Sequence, residues 1–121
     1  MNQSVSLEDF EETNKLEVGK LIQLADSGDD SEESRRRFTA QAASIKGLCR
    51  TTYQCSAIMA RKAETLEETA GVWKKMVAFC DSIILSLRDL ANRHPNCGSK
   101  HLYDFALDTR NAAARRMELH L

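Results

Sequence analysis

Met59-Ala60-Arg61-Lys62-Ala63-Glu64-Thr65-Leu66-Glu67-Glu68-Thr69-Ala70 is the stretch that decides the fold, because a long heptad register runs through it with neither Gly nor Pro. One row of that register is Phe38, Ile45, Thr52, Met59, Leu66, Trp73, Cys80 and Leu87. The companion row is Gln41, Leu48, Cys55, Lys62, Thr69, Met76, Ile83 and Leu90. Small or apolar residues, among them Ala42, Cys49, Val77 and Ile84, adjoin the second row. The stripe is therefore wider than a two-stranded seam, as expected for a bundle helix that contacts two neighbours.

A continuous helix over residues 31–93 would extend about 90 Å at 1.5 Å per residue, more than the rest of the chain can cover. Lys62 and Thr69 weaken the seam near its middle, and Thr65-Leu66-Glu67-Glu68 has the form of a capping box that opens a new helix. The preferred reading is an antiparallel hairpin folded about residue 64, with helices over 31–63 and 66–93. The alternative is one continuous coiled-coil helix over 31–93 that dimerises. The hairpin sets Cys49 opposite Cys80, Cys55 opposite Trp73, and Ile45 opposite Ile83 and Ile84. The run of small residues from Thr39 to Ala60 predicts the most crowded face of the bundle. Gly47, which costs about 1 kcal/mol of helix propensity against Ala, predicts a packing need there.

Outside this register, Leu7, Phe10, Val18, Leu21, Ile22 and Ala25 recur at helical spacing, with Asn14 interrupting the stripe. They predict a helix over 7–26, opened by Ser6 with Asp9 and ended by Ser27-Gly28-Asp29-Asp30. Asp30 is the expected cap of the second helix, with Glu33 three residues on. His94-Pro95-Asn96-Cys97-Gly98 ends the third helix, and Ser99 is expected to cap a fourth over 100–119. The fold class is all-α: a four-helix bundle with a long central antiparallel hairpin, in a single domain over 1–121 with a flexible segment at 1–6.

Composition narrows the function classes. The 121 residues are 42% hydrophobic and 29% charged, with five Gly and one Pro, which excludes turn-rich β and Pro/Gly-rich disordered chains. A mean hydropathy of -0.44 and the lack of a long apolar run argue against a membrane span. No secretory leader is visible at residues 1–9, so the expected location is cytoplasmic and Cys49, Cys55, Cys80 and Cys97 are expected to be reduced. The net charge of -1 hides an asymmetry: residues 1–34 hold ten acids against two lysines, and the remaining residues are basic. An acidic first helix docked on a basic remainder accounts for it; recruitment of an acidic partner is the sharper reading.

Catalytic signals are weak. His94, Cys97 and His101 offer ligand-type side chains within eight residues, but a structural zinc site wants four ligands. Cys97 is the one nucleophile candidate, with no acid identifiable to orient a neighbouring His. No Glu-x-x-His pair and no phosphate-binding glycine loop occurs. No enzyme activity, cofactor or metal is expected. The expected function is a helical protein-interaction or assembly module, self-associating through the apolar stripe. Trp73, Met76, Ile83 and Leu87 are its contact anchors and Arg35, Arg36 and Arg37 its electrostatic contacts. The alternative is a basic-faced module that binds nucleic acid or another acidic partner, with Arg110, Arg115 and Arg116 facing water.

Overall fold

The computed structural model describes residues 7–119, and the segment 1–6, expected to be flexible and to hold the Ser6 cap, lies outside them. Four helices follow one another: α1 (Leu7–Ser27), α2 (Glu32–Lys62), α3 (Leu66–Arg93) and α4 (Lys100–Glu118). The architecture is the all-α four-helix arrangement expected, and the chain does bend at residues 63–65. The continuous helix over 31–93 is thereby excluded.

The bend needs no left-handed residue. Ala63 and Thr65 both take extended backbone conformations. The Thr65 hydroxyl accepts from Glu68 N (3.0 Å), and Glu64 N donates to the Glu68 carboxylate (3.1 Å). This is a capping box in which the glutamate reaches one residue further back than usual. The Thr69 hydroxyl donates to Thr65 O at 3.0 Å, tying the first turn of α3 down. Leu66, a seam position by its spacing, is 69% exposed because it opens α3 at the tip of the hairpin.

Two caps differ from expectation. α2 is capped by Ser31, whose hydroxyl accepts from Ser34 N at 3.1 Å, and not by Asp30. Asp29 holds this turn: Ser31 N and the Ser34 hydroxyl donate to its carboxylate, which lowers its pKa to about 2. Ser99 precedes α4 but makes no capping bond. Its φ of -82° and ψ of -3° are already helical, whereas a capping side chain works from an extended residue. Gly98, at φ 83°, is the one residue with positive φ among those described.

The helices alternate in direction around the α2–α3 hairpin. α1 runs parallel to α3, with Glu8 beside Lys75 at one end and Asp26 bound to Arg93 at the other. α4 runs antiparallel to α3, so that Tyr103 meets Arg88 and Arg110 meets Asp81. α2 and α3 each touch all three other helices, whereas α1 and α4 make no contact with each other. The most extensive packing is between α3 and α4 rather than along the small-residue stretch of α2. A Cβ added at Gly47 would meet nothing within 4 Å, so the expected packing need is absent there.

The core follows the register. Trp73, Leu21, Ile45, Met76, Ile83, Leu87 and Leu90 are fully buried, and Cys49 and Cys80 sit between them as buried neighbours. Burial pushes the Cys49 thiol up to about 12 and raises that of Cys80 further, so both stay protonated. Tyr53, two residues before the expected Cys55, is the α2 partner of Trp73, with ring centroids 5.2 Å apart. The polar residues Thr52 and Ser56 are satisfied by the Leu48 and Thr52 carbonyls at 2.7 and 2.9 Å. The buried Asn14 Oδ1 has no hydrogen-bond partner among the described residues.

Candidate interaction surface

The stripe residues expected to anchor a partner are placed inside the molecule. Trp73, Met76, Ile83 and Leu87 are each at most 1% exposed, and they pack against this chain's own helices. A contact between chains through these four would first have to withdraw them from the core. Arg35, Arg36 and Arg37 stay at the surface and fan around the start of α2. Arg35 donates to Asp30 O at 2.6 Å, Arg36 pairs with Glu32, and Arg37 pairs with Glu33 at 2.7 Å. The structure therefore does not bring the three arginines together as one patch. Each serves its own helix turn, and such exposed pairs contribute little.

The acidic first helix is joined to the remainder at both ends, by Glu8–Lys75 and by Asp26 with Arg93 and His94. The His94 ring nitrogen and the Arg93 guanidinium both reach Asp26 Oδ1, at 2.7 and 2.6 Å, and together hold the Asp26 carboxyl below the usual range. Asp26 is thus the acid that orients His94, and no spacing in the sequence marks it. Cys97 lines a cleft of about 420 Å³ beside His94, with Leu24, Ala25 and Phe38 as its apolar wall. Its bond to His94 runs from Cys97 N to the His94 carbonyl at 3.1 Å, a turn contact and not a thiol–imidazole pair. His101 is exposed one turn away. Among the described residues, no three His, Cys, Asp or Glu side chains group as metal ligands.

A different surface emerges between α2 and α4. From Ser34 to Ala63 the chain has seven Lys and Arg and no acid. Lys46 and Arg50, one turn apart, reach across to α4 and lie over the Phe105 ring, at 5.0 and 5.5 Å from its centroid. Cations hold such positions over the negative face of an aromatic ring. Arg116 does the same over the edge of the core, 5.3 Å from the centre of Trp73, so that it does not simply face water. Arg110 also leaves the expected water-facing set, being paired with Asp81 at 3.1 Å. Beside Arg50 and the Phe105 ring is a groove of about 340 Å³, also lined by Tyr53, Gln54, Asp108, Thr109 and Ala112. The α2 side has one signal legible beforehand, the acid-free run, but its pairing with Phe105 depends on how α4 packs.

Compared with protein-family models, curated proteins and solved structures, the chain finds no match. No helix among the described residues is long and apolar enough to cross a membrane.

Proposed function

We propose that this chain is a non-catalytic helical interaction module that self-associates through its surface. The acidic outer face of α1 on one copy seats in the α2–α4 groove of another. The observation that carries this reading is the Lys46–Arg50–Phe105 cluster: two cations over an aromatic floor, with neither in an ion pair among the described residues. The complementary face belongs to the same chain. Glu11 and Glu12 project from α1, and one turn on stands Leu16, 67% exposed. Leu16 supplies the apolar group for the groove, the two glutamates meet Lys46 and Arg50, and Lys15 meets Asp108. Exposed ion pairs contribute about 0.2–1 kcal/mol each, so the association is weak and salt-sensitive.

Because α1 and α4 lie on opposite sides of the hairpin, the two faces point apart, and the contact joins unlike surfaces. Such contacts grow open-ended series instead of closing as a dimer. A base-stacking ligand suits the groove less well, since the faces of Phe105 and Trp73 are already covered by cations.

Sedimentation velocity from micromolar up to millimolar concentration tests the reading. The expected result is a concentration-dependent series at about 50 mM salt that collapses to monomer at high salt. Lys46→Glu with Arg50→Glu, and separately Glu11→Lys with Glu12→Lys, should each give monomers, and mixing the two variants should restore association. A parent chain that stays monomeric at low salt overturns the proposal. A salt-dependent gel shift with generic duplex DNA, lost in the Lys46/Arg50 variant, would replace it with the nucleic-acid alternative.

A further inference from the structure

The junction of α3 and α4 borders an open cavity of about 620 Å³, larger than either cleft described above and independent of the α2–α4 face. Its apolar wall is Leu87, Ala91, Pro95 and the Tyr103 ring, and among the described residues no Asp or Glu lines it. One end of this cavity is the start of α4. The peptide N–H groups that open a helix lack intrahelical partners and carry the positive end of its dipole. Most helix starts answer this with a capping hydroxyl or an acid in the first turn. α4 has neither: its first turn holds Lys100 and His101, and Ser99 forms no cap bond.

Ser99 supplies the second observation. It lines the cavity and is 6% exposed as a residue, yet its hydroxyl accepts no hydrogen bond from the N–H groups of the first turn of α4. Asn14 Oδ1 is the one fully buried side-chain atom left without a partner among the described residues, so the Ser99 hydroxyl opens onto the cavity, where a ligand oxygen can accept from it. Arg88 and Lys100 add positive charge at the rim. Arg88 is held there by its bond to the Tyr103 hydroxyl (3.3 Å), and Lys100 is shared with Asp104 (3.0 Å).

We propose that this cavity binds a small amphiphilic organic anion. A carboxylate or phosphate head sits on the Ser99 hydroxyl, the free N–H groups of α4 and Lys100, and an apolar body lies along Leu87, Ala91 and Pro95. The cavity volume and its mostly apolar wall with a few converging polar groups are those of small-ligand sites, and a helix start is a ready anion cradle.

The test is a ¹⁵N-resolved NMR titration of the full chain with octanoate, octyl phosphate and, as a neutral control, octanol. Octanoate or octyl phosphate should move the amides of Lys100, His101 and Leu102 saturably, and octanol should not. The variant Lys100→Glu places a negative charge at the helix start, where the dipole favours it, so the fold is retained while the anion is repelled. It should weaken binding about tenfold or more, a loss of about 1.4 kcal/mol per factor of ten. The preference between octanoate and octyl phosphate identifies the head group. Absence of saturable shifts, equal shifts with octanol, or unchanged affinity in Lys100→Glu each overturns the proposal. Inorganic phosphate alone matching both amphiphiles would also overturn it, since the apolar wall would then contribute nothing.

Discussion

Asp26 Oδ1 lies 2.7 Å from a ring nitrogen of His94, and this contact joins the last turn of α1 to the end of α3. The carboxylate sits at the negative end of its own helix, where an acid is unfavourable, and His94 with Arg93 offsets that.

The His94 contact, more than Arg93, lowers the Asp26 pKa, and Ser31 with Ser34 lowers that of Asp29 to about 2. A carboxyl with a depressed folded pKa is protonated more readily in the unfolded chain. Its stabilisation is therefore complete above the ordinary carboxylate range and is lost as pH falls through the folded value. Thermal unfolding should be insensitive to these groups near neutrality and should weaken below about pH 4. Asp26→Asn should lower the melting temperature at neutral pH and flatten the acid limb. Superimposable pH profiles for parent and variant would contradict the assignment.

Gly47 lies inside α2, where an added Cβ meets no atom within 4 Å. Gly47→Ala should stabilise the protein by about 0.5–1 kcal/mol, through helix propensity and a less flexible unfolded chain. The urea midpoint should rise with an unchanged slope; a fall would mean that a neighbour does need the space.

Asn14 is 3% exposed with an unpaired carbonyl oxygen, amid the apolar face of α1. Asn14→Leu is nearly isosteric and removes the stranded polar group, so a gain of about 1–3 kcal/mol is expected. Denaturant unfolding measures it directly, and a loss of stability would show that the amide has a partner in solution.

The hairpin was legible because its signals are local. Thr65 and Glu68 carry the capping chemistry at the spacing it requires, and the apolar period continues on both sides of them. Helix ends at Ser27, Lys62 and Arg93 fall within one residue of expectation for the same reason. What a side chain faces was less legible. Trp73 and Leu66 stand seven residues apart on one row, yet the first is enclosed by Tyr53 and Arg116 and the second projects at the tip. Spacing reports which residues share a side of a helix. Whether that side is shut by the same chain depends on where α1 and α4 settle. Phe105 could not be joined to Lys46 and Arg50 from the sequence, because 55 or more residues and two bends separate them.

The bend at residues 63–65 and the bend at Gly98 will respond differently to mutation. The first rests on side-chain hydrogen bonds that Ser, Asp or Asn at position 65 would also supply, and its backbone suits any residue. The second rests on a φ of 83°, which costs other residues about 1–2 kcal/mol. Substitutions will therefore accumulate more freely at the hairpin tip than at the junction of α3 and α4. The α3–α4 connection is the less tolerant of the two, and the cavity beside it, which Gly98 lines, inherits that constraint on its sequence.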